Sequence, residues 1–73
     1  MNVIEQSTAT ISFDMEGDAR FMVGRTAYYL NEFLRVPSSR NFDAITCISN
    51  VGLMGIKVNE AEETVDYTIY TLE

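Results

Sequence analysis

Two periods of hydrophobicity divide this chain. From Ala9 to Met15 the residues alternate, with Ile11, Phe13 and Met15 on one side and Thr10, Ser12 and Asp14 on the other. A period of two is that of a half-buried strand. Glu16-Gly17-Asp18 interrupts it, and Asp18 is placed to cap a helix by accepting its first unpaired amides. From Ala19 to Arg35 the period lengthens. Ala19, Met22, Val23, Thr26, Ala27, Leu30, Phe33 and Leu34 recur every three or four positions, which predicts a helix with one broad apolar stripe. Arg20, Arg25, Asn31, Glu32 and Arg35 take the opposite face. Gly24 costs such a helix about 1 kcal/mol relative to alanine, and close approach to a sheet would explain it. Arg35 suits the negative end of the helix dipole, and Val36-Pro37 ends the element because the residue before proline is pushed out of the α region.

The remainder reads as strands. Ser38-Ser39-Arg40-Asn41 is a polar loop. Ala44 to Ser49 is rich in β-branched residues, with a short helical turn over 43–50, capped by Asp43, as the alternative. Asn50-Val51-Gly52 has turn composition, and Leu53 to Val58 follows with Met54, Ile56 and Val58 on one side. After the charged turn Asn59-Glu60-Ala61-Glu62-Glu63, Thr64 to Leu72 alternates Val65, Tyr67 and Ile69 with Asp66, Thr68 and Tyr70. The expected fold is therefore α+β, in the order β-α-β-β(-β). One amphipathic helix would pack on an antiparallel sheet of three or four strands. Residues 9–73 would make one domain, preceded by an N-terminal tail over residues 1–8.

Composition narrows the chemistry. The 73 residues hold no histidine and no tryptophan, one cysteine, and 11 acidic against 5 basic residues, a formal charge of −6. A chain this short buries only about 60% of the surface it exposes when unfolded, so its core must be good. Cys47 has no cysteine partner for a disulfide and no histidine for a zinc site. The opening residues lack the basic end and apolar run of a signal peptide, and no apolar stretch nears the ~20 residues that cross a bilayer. The expected location is the cytoplasm, with Cys47 reduced as a small core residue. Negative charge disfavours direct contact with a phosphate backbone.

Catalysis has few candidates. General acid–base work most often uses histidine. Asp14, Glu16 and Asp18 straddle a strand-to-helix turn, where capping and solubility explain them. Lys57 alternates away from Ile56 and Val58 toward water, and no Gly-Lys-Ser/Thr makes Gly52 and Gly55 a phosphate loop. The chain is expected to be no enzyme and to need no metal or cofactor. Binding candidates are clearer. Exposed tyrosine and arginine are favoured at interfaces, which singles out Arg25 and Tyr28 on the polar helix face. In the tail, Val3 and Ile4 precede the polar spacer Gln6-Ser7-Thr8, so that segment is a frayed or extended strand end, or a docking element.

In its length, its opening Met1-Asn2-Val3-Ile4-Glu5 and its one helix with a small sheet, the chain resembles the small transcription regulators of lytic Xanthomonas phages that bind host bacterial RNA polymerase. The resemblance implies contact with the β′ and β subunits, interference with σ engagement at promoters, and read-through of terminators. It makes Asn2, Val3, Ile4 and Glu5 prime contacts of a chain that is monomeric when free, in the cytoplasm of the bacterial host. Two alternatives stand beside it. One is an acidic inhibitor of a host defence or DNA-processing enzyme, acting as a partial nucleic-acid mimic through Glu60, Glu62 and Glu63. Its acids, however, are spread along the chain. The other is an assembly subunit using exposed sheet edges.

Overall fold

A computed structural model describes residues 2–37, 42–49 and 52–71, and these form two antiparallel sheets. The loop expected at 38–41, the turn residues Asn50 and Val51, and Leu72 lie outside the described residues. In chain order the strands are β1 (Val3–Thr10), β2 (Ser12–Phe13), β3 (Ala19–Val23), β4 (Thr26–Tyr29), β5 (Leu34–Val36), β6 (Phe42–Ile48), β7 (Gly52–Asn59) and β8 (Thr64–Thr71). One sheet has the order β1-β8-β7-β6-β5 and the other β2-β3-β4. The only helical segment among the described residues is a 3-10 turn, Leu30–Glu32, closed by the Phe33 N–H donating to the Leu30 carbonyl at 3.2 Å.

The expected α+β fold, with an amphipathic helix packed on a sheet, is thus overturned. Residues 19–35 form two strands, the 3-10 turn and the start of β5. The physical reason lies in residue type. Phe21, Val23, Thr26, Tyr28 and Tyr29 are β-branched or aromatic, and such side chains lose rotamer freedom in a helix but pack well on a pleated surface. Gly24 is the second reason. Val23 pairs with Thr26, so Gly24-Arg25 is a two-residue hairpin turn. Gly24 has φ +63°, while Arg25 is not among the positive-φ residues. A positive φ at the first central residue alone is the pattern of a type II′ turn, whose twist matches the flanking strands. A Cβ at Gly24 would meet nothing within 4 Å, so conformation and not crowding selects glycine.

The other strands follow the expected periods. Met54, Ile56 and Val58 of β7, and Val65, Tyr67 and Ile69 of β8, are buried on one face of the large sheet together with Ala44 and Ile48 of β6. Residues 42–48 are strand, not a helical turn. The first strand does not run to Met15. It ends at Thr10, and a break at Ile11 leaves Phe13 exposed and Met15 fully exposed. Asp18 caps no helix. It follows a tight turn instead, where Asp14 Oδ1 accepts the N–H groups of Glu16 and Asp18, both at 2.9 Å.

Phe21 joins the two layers. It is fully buried, and its ring centroid lies 5.7 Å from Tyr28, 5.9 Å from Phe33 and 6.1 Å from Tyr67. These separations are those of favourable aromatic pairs. Tyr67 belongs to the large sheet and Phe21 to the small one, so this cluster is where the sheets meet.

The β7–β8 ladder has its own constraint at Gly52. A Cβ there would overlap the Tyr70 carbonyl oxygen, whereas one at Gly55 would touch only side-chain atoms of Tyr70 and Ile45 at 3.7 and 3.9 Å. We expect Gly52→Ala to lower the unfolding free energy by about 1–3 kcal/mol, the usual cost of overpacking. Gly55→Ala should shift it far less. Urea unfolding of both variants checks this, and equal losses would contradict the close approach.

Candidate functional site

The two edges of the large sheet differ in kind. At one edge, β5 has three residues, contains Arg35 and is followed by Pro37. Short length, charge and proline are standard protections against pairing with a further strand. At the other edge, β1 is eight residues long with no proline, glycine, lysine or arginine. Its one charged residue, Glu5, is exposed and accepts a hydrogen bond from the Tyr67 hydroxyl at Oε2, 2.7 Å away. Among the described residues nothing pairs with the outer side of β1.

The strand is firmly held on its inner side. Its register with β8 runs from Val3 opposite Tyr70 to Thr10 opposite Thr64, with a shift between Val3 and Glu5. Beyond the ends of the strand, the Thr71 N–H donates to the Asn2 carbonyl at 2.9 Å and the Ile11 N–H to the Glu63 carbonyl at 2.8 Å. Thr8 Oγ1 donates to Asp66 Oδ1 at 2.6 Å. Residues set apart as a tail are therefore most of an edge strand. Asn2, Val3, Ile4 and Glu5 lie together at its start, where Val3 is 56% and Ile4 52% exposed.

The structure does not add Arg25 and Tyr28 to that group. Arg25 is exposed on the β3–β4 turn. Tyr28 is half-buried and stacked on Phe21, not standing free on a polar face. It lines a groove with Phe33 and the Thr46–Ser49 end of β6, and β8 and β7 lie between β6 and β1. Cys47, expected in the core, is exposed. Lys57 is exposed as expected, opposite Asp43 in β6 and Asp66 in β8.

Ligand atoms of Asp14, Glu16 and Asp18 lie within 4.8 Å of one another. Asp14 is held below its ordinary pKa first by the backbone N–H of Asp18, against an opposing desolvation that is the second largest influence, and then by a hydrogen bond from Tyr29, the amide of Glu16 and the nearby Arg20 charge. Its carboxylate thus serves the turn.

Sequence reasoning missed two surfaces. The outer face of the large sheet leaves Leu34, Val36 and Ile45 exposed around a shallow depression over Gly55. Taking residues 19–35 as a helix ended by Val36-Pro37 hid Leu34 and Val36 from view as strand residues. The second is a notch of about 410 Å³ lined by Ile11, Phe13, Ala19, Leu30, Val58, Glu60 and Glu63. It joins segments far apart in sequence, so no local pattern announces it.

No family model, curated protein or solved structure matches this chain. No helix among the described residues is long and apolar enough to cross a membrane.

The tie between Tyr67 and Glu5 makes a pH prediction. The pKa of Tyr67 is raised above its ordinary value of 10, first by donating to Glu5 and then by burial and the Glu5 charge. Raising favours the neutral phenol in the fold, so this contribution is complete below pH 10 and is lost as pH climbs through the raised value. Tyr67→Phe should cost about 1 kcal/mol at neutral pH. The variant should also lose less further stability than the parent as pH rises above 10. Urea midpoints across that range check both, and parallel curves would count against the contact.

Proposed function

We propose that this chain is a non-enzymatic protein-binding module that docks on host bacterial RNA polymerase through the start of β1. In this reading it contacts the β′ and β subunits, interferes with σ engagement at promoters and promotes terminator read-through, with no cofactor and no direct nucleic-acid contact. The docking mode is supported by one observation, the unpaired outer side of β1 beside the exposed Val3 and Ile4. An extended partner segment added to such an edge gains main-chain hydrogen bonds, and alternate side chains supply selectivity. Because β8 already orders β1, little conformational entropy is lost on binding, unlike for a free tail. The choice of polymerase is supported by the resemblance in length and in Met1-Asn2-Val3-Ile4-Glu5.

Val3→Asp and Ile4→Asp place a charge where the parent residue is already half exposed. Each should therefore leave the urea midpoint nearly unchanged while weakening retention on purified polymerase by about tenfold or more. A parent chain that fails to bind polymerase would refute the choice of partner. Unchanged affinity in both variants would remove β1 from the interface.

A further inference from the structure

The notch lined by Ile11, Phe13, Ala19, Leu30, Val58, Glu60 and Glu63 is distinct from the β1 interface in composition. Its exposed lining is mostly apolar, and its two polar residues are both glutamates. Ile11 and Leu30 are half-buried and pack against the core, while Phe13 remains 61% exposed. The hairpin turn that carries Phe13 and Ala19 holds Asp14, Glu16 and Asp18 between them. The β7–β8 turn supplies Glu60 and Glu63, with Glu62 in the same turn. Of these acids only Glu60 and Glu63 line the notch; Asp14, Glu16 and Asp18 lie beyond Phe13 and Ala19, where Arg20 offsets the charge of Asp14.

Hydrogen bonds from backbone amides fix the turn that carries these two glutamates. Ile11 donates its N–H to the Glu63 carbonyl, tying the β1–β2 connection to the β7–β8 turn. Glu63 itself has φ +55°, an uncommon region for a side-chain-bearing residue other than asparagine or aspartate. Asn59 Oδ1 accepts the Glu62 N–H at 3.1 Å and closes the turn from the other side. An apolar floor beside two glutamates is complementary to one kind of ligand.

We infer that this notch binds a partner protein segment in which an apolar side chain is flanked by lysine or arginine. The apolar side chain would fill the space between Phe13, Leu30 and Val58, and its basic neighbours would face Glu60 and Glu63. Apolar contact supplies affinity and the acidic rim supplies selectivity and faster encounter. The site does not depend on the β1 reading and uses none of its residues.

The test uses the whole chain and a short dye-labelled peptide alternating lysine with leucine and phenylalanine, followed by fluorescence anisotropy. Two control peptides replace lysine by glutamate, or replace the apolar residues by serine at equal charge. The parent chain should prefer the first peptide to either control by about tenfold or more. The paired substitution Glu60→Gln with Glu63→Gln should weaken binding and flatten its salt dependence. Phe13→Ser should weaken binding about tenfold with that dependence kept, and Val3→Asp should change nothing. Unfolding midpoints equal to the parent's would show that the variants still fold. Equal binding of the serine control would mean bulk charge attraction and would overturn the proposal, as would unaltered affinity in both notch variants. A peptide-free dimer abolished by Phe13→Ser would make the notch a contact between copies and would also overturn it.

Discussion

The contact between Phe21 and Tyr67 is the interaction on which the rest of this structure depends. A five-stranded sheet with one apolar face cannot stand alone in water, and the three-stranded sheet is too small to do so. Phe21 brings the second to cover the first, and its burial with Tyr28, Phe33 and Tyr67 fixes where they meet. Burying one phenylalanine contributes about 1.5–3 kcal/mol. In a domain this small that is a large part of the net stability. Tyr67 then reaches past the core to Glu5, so the same ring that completes the core also anchors the edge strand.

That anchoring shapes what the surface offers. Glu5 is the one charge in β1; it stays exposed while its carboxylate accepts the Tyr67 hydroxyl, beside the register shift between Val3 and Glu5. The far edge is instead guarded by brevity, Arg35 and Pro37. The two edges thus differ: one is short, carries charge and is followed by proline, the other is long, unpaired on its outer side and irregular between Val3 and Glu5. The acidic notch adds a second kind of surface at the end where the β2–β3 and β7–β8 turns approach each other. An unpaired strand edge and an apolar notch bordered by glutamates are different kinds of surface on one small body.

Legibility in the sequence varied by element. β7 and β8 were plain, because Met54, Ile56 and Val58, and Val65, Tyr67 and Ile69, keep a strict two-residue alternation that only one buried face explains. The segment 19–35 misled because spacings of three and four fit Ala19, Met22, Val23 and Thr26 as well as alternation fits Ala19, Phe21 and Val23. The signal that resolves it was present in Gly24-Arg25 between two apolar runs, a hairpin turn by composition. Of the candidate site, Asn2 to Glu5 was legible as an apolar start with a polar spacer. Its being an edge strand was not, since only the order of strands decides which one is outermost.

By itself, then, the sequence determined the absence of histidine and tryptophan, the excess of acid, the alternation of the last two strands and the glycine that a two-residue turn requires. These are properties of residues and near neighbours, and short-range sterics and hydrophobic period are enough to set them. Only the tertiary structure decided that β1 is an edge, that Cys47 is outside, that Tyr28 packs on Phe21, and that Glu60 and Glu63 border an apolar notch. Each of those depends on which segments meet across the chain. Ile11 and Glu63, or Glu5 and Tyr67, are brought together by the burial of a shared core and not by anything in their local sequence.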